Sequence, residues 1–144
     1  MLFSEVRKCD VVSTATATKV ARVDGFVVVP GPARVALLRL GKVAGEGALV
    51  SWEDLRGFGP DAATVADVAV IRTARDGFER RAETRELDIL GKRVLTDRGD
   101  ALGEITDVDF DLESGAVTTL LTRKEAIAGE RLIGHGRYAV VVSA

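Results

Sequence analysis

Carboxylates recur at every second position in the run Asp107-Val-Asp-Phe-Asp-Leu-Glu113. Alternate side chains of an extended strand share a face. This spacing would therefore present Asp107, Asp109, Asp111 and Glu113 together while Val108, Phe110 and Leu112 turn inward. Clustered carboxylate oxygens are the ligands of hard cations such as calcium. The calcium-loop pattern, however, requires Gly at its sixth position and Glu at its twelfth. Counting from Asp107, those positions hold Leu112 and Thr118. The four acids are weak metal candidates, no metal is assigned, and the principal reading is an acidic strand face open to water or to a basic partner.

Little else in the chain suggests a reaction. His135, between Gly134 and Gly136, is the only histidine and reads as a mobile loop position. With one Cys there is no histidine and thiol cluster for zinc. Cys9 lies among Val6, Val11 and Val12, reads as a half-buried structural thiol, and has no partner for an internal disulfide. No serine sits in a nucleophile motif, and Gly41-Lys-Val-Ala-Gly45 lacks the spacing of a phosphate-cradling loop. No catalytic residue and no cofactor is assigned, and a non-enzymatic protein is expected.

Composition narrows the function classes further. A net charge of -2 over 144 residues argues against the clustered Lys and Arg that displace counterions from nucleic acid. A hydrophobic share of 47% with 29% charged residues is that of a folded chain. Charges enter the N-terminus at Glu5, Arg7 and Lys8, before any apolar stretch of a secretory leader can build. No apolar run approaches the roughly 18 residues of a membrane span. A cytoplasmic location is the resulting expectation.

The elements that would position these residues come in two sets. Val20 to Leu38 fall on Leu102 to Leu120 at a constant displacement of 82 positions, with Val23, Phe26 and Val35 answered by Ile105, Val108 and Val117. Gly59-Pro-Asp-Ala-Ala-Thr-Val65 is answered by Gly136-Arg-Tyr-Ala-Val-Val-Val142. Two copies of a small β module are expected, at 1-72 and 87-144, joined by a charged linker at 73-86 that reads as solvated or as a short exposed helix. Strands are predicted at 11-15, 19-29, 34-40, 48-50 and 62-71, then at 92-96, 101-111, 116-123, 131-133 and 138-143. Pro30-Gly-Pro32 and Asp97-Arg-Gly-Asp100 supply hairpin turns. Ser4 is read as a helix N-cap, and Ser51 with Asp54 as a capping box. The second copy is predicted to lack the piece equivalent to Trp52–Gly57.

The residues Leu90-Gly-Lys-Arg-Val94, Gly99-Asp-Ala-Leu-Gly-Glu-Ile-Thr-Asp-Val-Asp-Phe-Asp111 and Gly115-Ala-Val-Thr-Thr-Leu120 resemble the PRC-barrel family. The first copy resembles it less, since Thr14 to Thr18 replace the Asp and Gly turn and Ala21 stands at the position of Gly103. The resemblance implies an all-β fold of two tandem small β-barrels with short helical turns. It also implies docking on other molecules rather than catalysis.

One contrast between the copies bears on docking. Val27 and Val29 occupy the positions of Asp109 and Asp111, so the first copy's strand is apolar on both faces and both must be covered. The cover is expected to be the second copy or a homodimer partner, which makes Val27 and Val29 candidate partner-binding residues. Trp52 is a third candidate, with a plug at the barrel's open end as the principal reading. The chain is thus read as a protein-binding adaptor or scaffold with a protein partner of unknown identity. The alternatives are a small-ligand or cation binder using 107-113, and an RNA-associated assembly factor by fold analogy alone.

Overall fold

The computed structural model describes all residues from Met1 to Ala144. The N-terminal half opens with the single-turn helix α1 (Phe3–Val6), followed by β1 (Asp10–Ser13), β2 (Thr18–Val29), β3 (Arg34–Gly41), β4 (Leu49–Ser51), β5 (Leu55–Phe58) and β6 (Ala62–Val65). These six strands form one sheet in the order β4-β3-β2-β1-β6-β5. After the segment carrying α2 (Gly77–Glu83), the C-terminal half contributes β7 (Arg93–Thr96), β8 (Ala101–Glu104), β9 (Asp107–Phe110), β10 (Val117–Leu121), β11 (Ala126–Ala128), β12 (Leu132–His135) and β13 (Ala139–Val142). They form two sheets, β11-β10-β9 and β12-β13-β7-β8.

The chain is all-β, and both halves follow one plan. If β8 and β9 are taken as one strand interrupted at Ile105 and Thr106, the C-terminal order becomes β11-β10-β9/β8-β7-β13-β12, which is the N-terminal order. Even the irregularities correspond. The register slips between Leu55 and Gly57 on β5 and between Leu132 and Gly134 on β12. Turn chemistry set locally behaves as predicted: β2 and β3 meet through Pro30-Gly-Pro32, and β7 and β8 through Asp97 to Asp100 with Gly99 at φ +87°.

Three elements differ from expectation. A 3-10 turn over Gly129–Arg131 leads into β12 just as Trp52–Asp54 leads into β5, so the C-terminal half keeps this piece. It is shorter instead in the loop after β10, where Thr122 to Glu125 replace the longer stretch Lys42 to Ala48 after β3. β6 ends at Val65, because the Asp67 carboxylate accepts from the Ala69 amide and starts a 3-10 turn over Val68–Val70. The capping assignments also change. Leu2 is the N-cap of α1 while the Ser4 hydroxyl donates to Asp107, and the Ser51 hydroxyl accepts from Arg72 rather than capping its turn.

The halves share a single core. Twenty-eight buried residues form one apolar cluster running from Phe3, Val11 and Phe26 through Phe58 to Ile89, Phe110, Val140 and Val142. At the seam the Val35 amide donates to the Gly115 carbonyl at 2.8 Å and the Val117 amide to the Ala33 carbonyl at 3.0 Å. Positions 35 and 117, and 33 and 115, are the ones that correspond between the halves. This reciprocal pair of bonds is the signature of a local two-fold relation, and the two halves pack as the subunits of a small dimer would.

Candidate functional site

Two outward faces distinguish the halves, and each follows from which side of a strand the apolar residues occupy. On the N-terminal sheet, Val27 of β2 lies across from Leu37 of β3, and Leu49 of β4 lies nearby. All three are buried, yet they belong to a cluster separate from the main core. The segment after Arg72 covers them with Ala74, Phe78, Ala82 and Leu87. Arg72 fixes this cover: its backbone pairs with Leu49, and its guanidinium donates to Glu79 at 2.6 Å and to the Ser51 hydroxyl at 2.8 Å. The charged linker is therefore a lid packed on the sheet.

Val27, 1% exposed beneath that lid, is unavailable to a partner, and its cover is neither the C-terminal half nor a second chain. Val29 is half-buried and joins neither apolar cluster. Trp52 plugs the junction of the halves: its ring stacks on Phe58 at 5.8 Å and meets Phe110 edge-on at 6.3 Å. It also lies so close to Gly115 (φ +79°) that a Cβ there would be 2.8 Å from the indole. Trp52 holds the fold together.

The acidic run is likewise dispersed. Only Asp107 and Asp109 lie on β9, where Asp107 accepts from the Ser4 and Val108 amides and Asp109 Oδ1 lies 2.8 Å from the Met1 nitrogen. Asp111 accepts from the Glu113 and Ser114 amides and closes the turn to β10, with Glu113 exposed beside it. The four carboxylates do not share one strand face, and no group of three acids, histidines or cysteines could hold a metal ion. Cys9 is half-buried against the core, and burial pushes its thiol above the usual range.

His135 is not a loop residue. It ends β12, where its Nδ1 lies 2.9 Å from the Val28 carbonyl across the seam while its Nε2 is buried without a partner. Burial holds the imidazole below its ordinary pKa, with nearby Lys92 acting in the same direction and the Val28 hydrogen bond and Asp88 opposing. A neutral ring protonated at Nδ1 donates to Val28. The unfolded chain binds the extra proton more readily, so this contribution is complete above the unfolded value of about 6.5 and is lost as pH falls through the lower folded value. The melting temperature is expected to decline as pH falls below about 6.5. His135→Gln, which removes the sole imidazole, is expected to flatten that decline; equal slopes in both proteins would contradict the assignment.

The other outward face belongs to the β12-β13-β7-β8 sheet. Leu95 on β7 registers with Val141 on β13 and with Ala101 on β8, and Ile133 lies at the β12 irregularity beside them. Their chain neighbours Val94, Val140 and Val142 point into the core. Leu95 and Val141 are half-buried, Ala101 is exposed, and none of the three packs on either apolar cluster. Ile133 is 51% and Tyr138 71% exposed. Arg93, on the same face as Leu95, donates to the Tyr138 hydroxyl at 2.7 Å and lies 5.4 Å from its ring centre.

The corresponding N-terminal positions are Arg56, Thr64, Val12 and Lys19, with Asp61 in place of Tyr138. The apolar row is thus specific to the C-terminal half and has no lid. It was missed in the sequence because its members come from four strands. The available signal was apolar Ile133, Val141 and Tyr138 facing polar Arg56, Thr64 and Asp61 in the aligned halves.

Residues 87–143 match the family model of the PRC-barrel domain, so the C-terminal half is a PRC-barrel domain, a small β-barrel module often involved in interactions. No curated protein matches the chain. No helix of the structure is long and apolar enough to cross a membrane.

Proposed function

We propose that this is a non-catalytic adaptor that docks on a protein partner through the C-terminal sheet face, in the cytoplasm, with the N-terminal half a diverged copy of the same module. The observation that carries the reading is the row Ile133, Val141, Leu95 and Ala101 with Tyr138 at its margin. Apolar side chains aligned across four strands lose favourable burial while they face water, and contiguous exposed patches of this kind mark interaction sites. Tyr138 and Arg93 are of the residue types enriched at the centres of such interfaces. The equivalent N-terminal face is polar, and the other apolar face is closed by the chain's own lid, so the docking function rests on one surface.

The test is a photo-crosslinking amino acid introduced at Ile133 and, as a control, at Arg56, in the native cell. A discrete protein adduct is expected from position 133, reduced at least about tenfold by Val141→Asp and absent from position 56. Adducts of equal yield from both positions, or an adduct indifferent to Val141→Asp, would refute it. An adduct of twice the chain's own mass would identify the partner as a second copy.

A further inference from the structure

A second site lies where the end of the linker meets the start of the N-terminal half. A cavity of about 270 Å³ has Arg7, Arg85, Asp24 and Asp88 among its lining residues. Its apolar lining is the half-buried Leu90, with the buried Phe3, Phe26 and Ile89 beneath. Gly25 lets the Arg39–Asp88 pair pack against the backbone at the cavity's edge: a Cβ there would fall 2.8 Å from Asp88 Oδ1 and 2.9 Å from Arg39 Nη2.

The charges of the site are unevenly satisfied. Asp88 accepts from the buried Arg39 at 2.8 Å, and Asp24 is paired with Arg22 at 2.9 Å. Both carboxylates of the cavity are thereby matched by arginines that do not line it. Arg7 and Arg85 form no ion pair and no side-chain hydrogen bond. A shallower hollow continues past Arg85 and Leu90 to Glu86, Lys92 and Arg137, where Lys92 donates to the Glu86 and Asp88 carbonyls and Arg137 forms no ion pair. On a chain of net charge -2 this is a local surplus of positive charge beside an apolar lining.

We propose that this cavity binds a small phosphate monoester with an apolar body, its phosphate held by Arg7 and Arg85 and its body against Leu90. Planar guanidinium groups pair bidentately with oxyanions. Two of them lining one cavity suit the three free oxygens of a phosphate monoester better than the two of a carboxylate. The volume is at the lower end for ligand sites, which restricts the body to a small ring system. Occupancy would join α1 to the end of the lid, since Arg7 follows the one and Arg85 ends the other.

The experiment is calorimetric titration of the full chain with 1-naphthyl phosphate, with inorganic phosphate and 1-naphthol as separate probes. The expected result is saturable binding of the ester with a dissociation constant below about 1 mM, weakened at least about tenfold by Arg7→Ala and by Arg85→Ala. Both arginines are exposed, so the variants are expected to unfold at the wild-type denaturant midpoint, which is measured alongside. Inorganic phosphate and naphthol are each expected to bind at least about tenfold more weakly than the ester. Binding of inorganic phosphate as tight as the ester would indicate an adventitious ion only and overturn the proposal. It is equally overturned if no saturable binding occurs up to about 10 mM ester, or if both arginine variants bind the ester as wild type does.

Discussion

Replacing Phe110 with alanine is expected to lower the unfolding free energy by about 4 kcal/mol and to destabilise both halves together. The ring is 1% exposed and is the only aromatic of the C-terminal half in a cluster otherwise built by the N-terminal half. It meets Phe3 edge-on at 4.9 Å, Phe26 at 5.7 Å, Phe58 at 6.1 Å and Trp52 at 6.3 Å. Truncation loses the buried area, leaves a cavity that the strands cannot close, and removes several aromatic pairs at once. Urea unfolding followed by Trp52 fluorescence reports the junction of the halves, and far-ultraviolet circular dichroism reports both halves. The expected outcome is one coincident transition in wild type and variant, with the midpoint lowered in both signals. A fluorescence transition that separates from the dichroism transition and keeps the wild-type midpoint would refute the shared core.

Phe110 itself was legible, because alternation along 107-113 puts it inward. Pro30-Gly-Pro32 and the turn at Asp97 to Asp100 were legible for the same reason: turn chemistry is decided by the residues in the turn. What covers Val27 was not. The linker's four arginines and four acids between Arg75 and Glu86 suggest a solvated stretch, and they outweighed Ala74, Phe78 and Ala82, which recur every fourth residue and mark one helical face. The acidic run misled in the opposite sense. Its alternation was read as one continuous strand face, but β9 ends at Phe110, and Asp111 and Glu113 belong to the turn that follows. The open apolar row required strand order, parallel registration of β7 with β13, and the slip in β12, none of which is a local property of sequence. The arginine-walled cavity likewise depends on contacts between residues 7, 25 and 85 that no spacing announces.

Gly129→Ala is expected to cost about 3 kcal/mol or more. The cost comes from space alone, because the Gly129 backbone is not in the left-handed region that favours glycine. A Cβ at this position would lie 2.1 Å from the Val117 carbonyl oxygen and 2.9 Å from its carbon, and neither can swing aside as a side chain would. Val117 is held in turn by the hydrogen bond its amide donates to the Ala33 carbonyl across the seam, so a displacement there is passed to the seam. The same contact explains an asymmetry between the halves. The turn preceding β5 begins with Trp52, whose ring has room over Gly115, whereas the turn preceding β12 begins against β10 and admits no side chain. The trace of the repeated turn was thereby erased from the sequence although the backbone kept it. Gly45→Ala is the control, since nothing lies within 4 Å of its Cβ, and it is expected to change stability by no more than about 0.5 kcal/mol. Urea midpoints of the two variants would decide the matter. A Gly129→Ala protein as stable as the Gly45→Ala protein would mean that the 129–131 turn is free of β10 and is no counterpart of 52–54.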